Sequence, residues 1–102
     1  MSNDGLHVPR EMLSEKTLDM HQATVSLMEE LEAADWYRQR AEDCKDTGLK
    51  AILLHNMREE IEHAAMLIEW LRSNSEDFDR ELREYLFSEA DIAGKEDLES
   101  NA

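Results

Sequence analysis

The stretch from Pro9 to about Cys44 contains no residue that would interrupt a helix beyond its first turn. Pro9 itself suits a first helical turn, because its missing N–H would have no partner there. The chain of 102 residues has only three glycines and one proline, with few β-branched residues and much Glu, Leu, Ala and Met. That composition favours helix over strand. The sequence therefore predicts an all-α fold that begins with a long helix.

A turn and two further helices are predicted after the first helix. Asp46-Thr47-Gly48 is typical of a turn, and either Asp46 or Thr47 can cap the helix that follows. That second helix is expected from about Leu49 to Leu71, and a third, shorter one near residues 76–88. Two long helices joined by a short turn form an antiparallel hairpin.

A lone hairpin leaves one side of its apolar stripe in water. An identical hairpin is the simplest cover, so we expect two chains to pair into a four-helix bundle. The predicted organisation is a flexible N-terminus (1–8), one helical domain (9–90) and a flexible tail (91–102).

The formal net charge of −14 limits the classes of partner. A chain this acidic repels a nucleic-acid backbone and attracts cations. No apolar run is long enough to cross a bilayer, and no charged-then-apolar leader precedes the first helix. The single cysteine, Cys44, cannot form an internal disulfide and fits a reducing compartment. We therefore expect an intracellular protein that binds neither nucleic acid nor membrane.

Glu60-Ile61-Glu62-His63 has the spacing of half a metal site. Residues three apart share one face of a helix, so Glu60 and His63 can reach a single ion. At about 100° per residue, Glu60 lies at the centre of the apolar stripe of the second helix. Glu30 lies within the corresponding stripe of the first helix. An unpaired carboxylate on a buried face normally takes up a proton or finds a cation.

Two interpretations of these three residues stay open. Either the glutamates mark the rim of the stripes with their tips in water, or they bind a divalent metal together with His63. Di-iron helical bundles use two Glu-x-x-His pairs and two lone glutamates, so a complete site here needs two copies of the chain. Carboxylate and imidazole ligands favour iron or manganese, although zinc could also occupy such a site. Oxidation of Fe(II) to Fe(III) is the chemistry that this arrangement suggests.

Two aromatic residues lie near these positions on the first helix. Tyr37 follows Glu30 by two turns, and it could hydrogen-bond a ligating glutamate or pack in an interface. Trp36 lies on a second apolar strip with Val25 and Leu18, which indicates a second contact surface and an assembly larger than a dimer.

The same residues lie in a longer pattern that resembles the encapsulated ferritins. The resemblance covers residues 8–90, in the runs Met28–Ala33, Asp35–Tyr37, His55–Asn56, Glu59–Met66, Glu69–Arg72 and Tyr85–Phe87. It implies a half-ferritin that dimerises into a ferritin-like four-helix bundle and assembles into a decameric ring. It also implies a ferroxidase centre at the dimer interface, and a cytoplasmic location within an encapsulin nanocompartment that stores iron.

The resemblance implies roles for individual residues. The ligands of the ferroxidase centre, which holds two iron ions per dimer, are Glu30, Glu60 and His63. Tyr37 neighbours them and completes the expected catalytic set. A secondary site through which metal enters consists of Glu29, Glu32 and Trp36.

Members of that family end in a short apolar-basic peptide that docks inside the shell. This sequence ends at Glu99-Ser-Asn-Ala102, so the encapsulin shell is expected as a partner only if the native protein carries such a tail. Two alternatives to a ferroxidase stay open. One is a non-catalytic helical oligomerisation or adaptor module, in which the acidic residues serve solubility. The other is a different metal enzyme of the ferritin-like group.

Overall fold

The computed structural model describes residues 5–89 and 91–95 of the chain. Within them it contains a short 3₁₀ helix, Arg10–Met12, three longer α-helices, a further helical segment at residues 92–95, and no strand. The three longer α-helices are α1 (Glu15–Asp43), α2 (Thr47–Asn74) and α3 (Glu76–Tyr85). The all-α fold class is therefore confirmed. In the part of the chain that is described, no helix combines the length and apolar character needed to span a membrane.

The first long helix begins later than the sequence predicts. Pro9 starts the 3₁₀ helix, whose end at Leu13 is in an extended conformation. Ser14 then caps α1, because its hydroxyl accepts a hydrogen bond from the Thr17 N–H at 3.1 Å. The prediction of one unbroken helix from Pro9 was wrong, since this serine offers the backbone a new N-terminus.

The turn between α1 and α2 is stabilised by the predicted cap. Asp46 Oδ2 accepts a hydrogen bond from the Leu49 N–H at 2.7 Å, which satisfies one of the unpaired donors of the first turn. Helix α2 starts two residues earlier than predicted and ends three residues later.

Two compact units can be distinguished, Met1–Trp70 and Leu71–Ala102. In the first unit, α1 and α2 pack as an antiparallel hairpin. Its buried apolar side chains are mostly small, namely Ala23, Ala34, Ala41, Met57 and Ala64. Leu31 and Leu49 belong to the apolar stripes of α1 and α2, yet they are 53% and 48% exposed. The apolar stripe of each long helix is therefore wider than the surface that the other helix of the hairpin can cover.

The second unit contains the last turn of α2 and all of α3. Ser75 caps α3 by accepting a hydrogen bond from the Phe78 N–H at 3.2 Å. Arg72 and Arg83 both donate to the Asp79 carboxylate, Arg83 from Nε at 2.8 Å. Helix α3 ends at Tyr85 rather than near residue 88, and Phe87 follows with a left-handed φ of 59°.

Candidate metal centre

Three side chains from the two long helices converge on one place in the hairpin. Helix α1 contributes Glu30, and α2 contributes Glu60 and His63 from successive turns of one face. One potential ligand atom from each of the three residues lies within 4.8 Å of the other two. All three are half-buried. No other group of three or more His, Cys, Asp or Glu residues meets this criterion in the described ranges.

The closest charged contact in this group crosses between the helices. His63 Nδ1 lies 3.5 Å from Glu30 Oε2, and the two side chains are 42% and 25% exposed. Glu30 Oε2 is shielded from solvent and accepts no hydrogen bond within the described residues. A buried carboxylate oxygen without a partner is costly, and a bound cation would remove that cost.

Glu30 is close enough to Glu60 to alter the protonation of the Glu60 carboxyl group. A side-chain hydrogen bond with Glu30 is the main reason that the pKa of Glu60 is raised above its ordinary value of 4.5. Partial burial and the negative charge of Glu30 raise this pKa further, whereas His63 lowers it. Glu60 therefore takes up a proton more readily than an isolated glutamate does. A divalent cation at the same place would compete with that proton.

The donor set fits a metal ion that prefers oxygen and nitrogen ligands. Two carboxylates and one imidazole match iron or manganese, and no thiolate is among the three residues. One chain offers too few ligands for two ions, because each half of a di-iron bundle supplies one Glu-x-x-His pair and one lone glutamate. The group is therefore suited to be completed by a second copy.

The other candidate residues lie outside this group. Tyr37 is half-buried on α1, seven residues after Glu30. The proposed entrance for metal has exposed members, with Trp36 48% exposed and both Glu29 and Glu32 open to solvent. His55, expected at the surface, is exposed.

Sequence reasoning did not single out Arg40. The Arg40 guanidinium carbon lies 5.9 Å from the centroid of the Trp36 ring and 5.5 Å from that of Tyr37. The sequence does indicate these contacts. Arg40 follows Trp36 by four residues and Tyr37 by three, and residues at these spacings are neighbours on a helix surface.

Comparisons with known proteins identify a family for this chain. Residues 5–89 match a family model described as EncFtn-like. An encapsulated ferritin-like protein from Rhodospirillum rubrum is 52% identical over 95 residues, which are 93% of this chain and 68% of the relative. A ferritin-like protein from Thermotoga maritima is 48% identical over 89 residues, covering 87% of this chain and 78% of the relative.

A solved structure also shares the fold. The crystal structure of protein ne0167 from Nitrosomonas europaea superposes with a TM-score of 0.83 at 56% sequence identity. The match covers 87% of this chain and 98% of that one.

Proposed function

The chain belongs to the EncFtn-like family, and we propose that it is a ferroxidase. It oxidises Fe(II) to Fe(III) with dioxygen at a di-iron site shared between two subunits. The observation that supports this most directly is the convergence of Glu30, Glu60 and His63 within 4.8 Å, with a shielded oxygen on Glu30 that accepts no hydrogen bond within the described residues.

Iron is the substrate, and the protein's part is to bind it and to favour its oxidised state. Two Fe(II) ions together give two electrons to dioxygen, which takes up two protons and leaves as hydrogen peroxide. Carboxylates stabilise Fe(III) more than Fe(II), because their attraction to the ion grows with its charge. Glu30 and Glu60 therefore promote the loss of an electron, and His63 fixes the position of the ion through its imidazole.

A second copy of the chain completes the site in this proposal. Two chains bring four glutamates and two histidines to two ions, which is the ligand count of a di-iron bundle. The exposed apolar side chains of the hairpin, among them Met28, Leu31, Ile52, Ile61 and Met66, offer the surface for pairing. We propose a homodimer that assembles further into a decameric ring.

The proposal predicts that three substitutions each abolish rapid Fe(II) oxidation, namely Glu30→Ala, Glu60→Ala and His63→Ala. Glu62→Ala is the matched control. Glu62 is exposed on α2, the helix that carries Glu60 and His63, and it lies outside the group of three candidate ligands. The measurement is the initial rate of Fe(III) formation after mixing anaerobically loaded protein with dioxygen. If all three variants form Fe(III) at the same initial rate as the unmodified protein, the proposal is wrong.

Iron delivery is a separate step in this proposal. Glu29, Glu32 and Trp36 form the site through which metal reaches the centre, and Tyr37 completes the catalytic set beside the ligands. Glu32→Ala should slow the approach of iron while the di-iron ligands still bind it. Loss of every bound ion in that variant would contradict this division of roles.

The oxidised iron is stored within an encapsulin compartment in this proposal. The Rhodospirillum rubrum relative is named an encapsulated ferritin-like protein, which supports that location. The sequence end at 99–102, where a docking peptide is expected, lies outside the described residues. Co-purification of the native protein with an encapsulin shell is the direct test.

The exposed apolar side chains also favour a second candidate, a non-catalytic helical oligomerisation module. The two candidates differ in the role of metal. If ligands come from two chains, bound ions link the chains and metal removal weakens association by mass action. The native mass and iron content of anaerobically loaded protein, with and without a chelator, discriminate between them. Equal assembly without metal, together with no stoichiometric iron, favours the module.

A further inference from the structure

A single guanidinium lies against two aromatic rings on α1. Arg40 follows Trp36 by four residues and Tyr37 by three, and its guanidinium carbon is 5.9 Å and 5.5 Å from the two ring centroids. Both distances are within the range of cation–π attraction. No carboxylate forms an ion pair with Arg40 among the residues that the structure describes. Within the described part of the chain, no carboxylate at ion-pair distance therefore competes with the two rings for the Arg40 guanidinium.

The two rings lie on the surface strips that lead to the candidate metal centre. Tyr37 follows Glu30 by seven residues, so it lies on the same side of α1 at a distance of about 10 Å along the axis. Trp36 follows Glu32 by four residues and shares its exposed strip. Indole and phenol side chains are the most easily oxidised aromatic groups in a protein, and these two lie where iron is oxidised under the proposed function.

We propose that the charge of Arg40 protects the side chains of Trp36 and Tyr37 from one-electron oxidation. A ring that loses an electron becomes positively charged, so the nearby guanidinium repels the product although it attracts the neutral ring. Removing an electron from either ring is therefore harder with Arg40 in place.

The role of this protection rests on the proposed function. Hydrogen peroxide formed at the proposed di-iron site reacts with a further Fe(II) to give Fe(III), hydroxide and a hydroxyl radical. The hydroxyl radical is the oxidant that attacks the two aromatic side chains. Tyr37 first gives one electron to the oxidant, which leaves a positively charged ring, and then gives its phenolic proton to water and becomes a neutral phenoxyl radical. Trp36 gives one electron and then its indole N–H proton, and the hydroxyl radical becomes hydroxide. Arg40 opposes the electron loss in both cases.

The test uses the full chain without iron, so that it is independent of ferroxidase activity. Hexachloroiridate(IV) serves as a one-electron oxidant, and mass spectrometry follows the loss of unmodified side chain at each aromatic position. Arg40→Gln removes the charge, Arg40→Lys keeps it, and Arg38→Gln is the matched control. Arg38 is exposed on the same helix and contacts neither ring. Trp70 and Tyr85, the other Trp and Tyr of the chain, serve as internal references.

We expect Arg40→Gln to speed the oxidation of Trp36 and Tyr37 by about two- to tenfold relative to Trp70 and Tyr85. Arg40→Lys should restore most of the protection, and Arg38→Gln should leave all four rates unchanged. Equal rates in Arg40→Gln and the unmodified chain would overturn the proposal, as would an equal effect of Arg38→Gln. Because no iron is present, neither result bears on the ferroxidase proposal.

Discussion

Glu30 and His63 face each other between the two helices of the hairpin, with Glu30 Oε2 3.5 Å from His63 Nδ1. The motif spacing pairs His63 with Glu60 along α2, yet the closest charged contact of His63 is with the glutamate of the other helix. The same Glu30 oxygen is shielded from solvent and accepts no hydrogen bond within the described residues. The hairpin therefore brings these two candidate metal ligands together within one chain.

Glu30→Gln should stabilise the metal-free protein while removing the stabilisation that metal gives. The substitution removes a negative charge beside Glu60 and supplies an amide that can donate to it, so the free energy of unfolding should rise by about 1 kcal/mol. Thermal unfolding with and without anaerobic Fe(II) measures both effects. Glu42→Gln, an exposed position on the same helix, is the control for the change in charge. A metal-free Glu30→Gln protein that is less stable than the unmodified protein would contradict the view that the Glu30 carboxylate is unfavourably placed beside Glu60.

Leu31→Ser should weaken self-association with little effect on the isolated hairpin. Leu31 is adjacent to Glu30 and 53% exposed, so the free energy of unfolding of the monomer should change by less than about 0.5 kcal/mol. If a second chain buries this side chain, its loss should raise the dissociation constant roughly tenfold or more. Sedimentation equilibrium over a range of concentrations measures the constant. An unchanged constant would mean that Leu31 lies outside the interface.

Helical periodicity was sufficient to bring together the residues of the candidate site. Glu30 and Glu60 each lie in the apolar stripe of a long helix, and a short turn forces those stripes to face each other. The cap at Asp46 was also predictable, because a short acidic side chain before a helical pattern accepts from the first-turn N–H groups. These features depend on local geometry and on the connection between two elements.

Other features depend on choices that periodicity does not determine. The predicted start of α1 was wrong because Pro9 and Ser14 both suit the first residue of a helix. The sequence pattern does not show which of the two begins the long helix. The exposure of Leu49 depends on how many helices surround a stripe, which one chain does not reveal. The contacts of Arg40 depend on the rotamer of a long side chain. For the same reason, the spacing alone did not reveal that His63 lies against Glu30.

Asp46→Ala should destabilise the protein by about 1 kcal/mol, because it leaves the Leu49 N–H without its acceptor. Asp46→Asn keeps an acceptor oxygen and should cost less. Asp43→Ala is the matched control, since it removes the same charge at the last residue of α1. A negative charge is unfavourable at that end of a helix, so the control should be neutral or slightly stabilising. Urea unfolding followed by circular dichroism compares the three variants, and equal losses for positions 43 and 46 would refute the capping role.

Asp79 should make the stability of α3 depend on pH. The hydrogen bond from Arg72 is the main reason that the pKa of Asp79 is lowered. Desolvation opposes this shift, and the hydrogen bond and charge of Arg83 lower the pKa further. A lowered pKa in the folded state means that the ionised form is stabilised by folding. This stabilisation is fully present above the ordinary pKa of 3.8, and it is lost as the pH falls through the lowered value.

Asp79→Asn should therefore reduce the protection of α3 amides against hydrogen exchange at neutral pH. Below pH 3.8 the difference from the unmodified chain should shrink progressively, because Asp79 becomes neutral in the folded protein as the pH falls through its lowered pKa. Asp77→Asn is the control, since its ion pair with Arg80 is a surface contact in which the Asp77 side chain is 86% exposed. Such exposed pairs contribute little to stability. If Asp79→Asn and Asp77→Asn lose the same protection at neutral pH, the two arginines around Asp79 do not hold α3 against the last turn of α2.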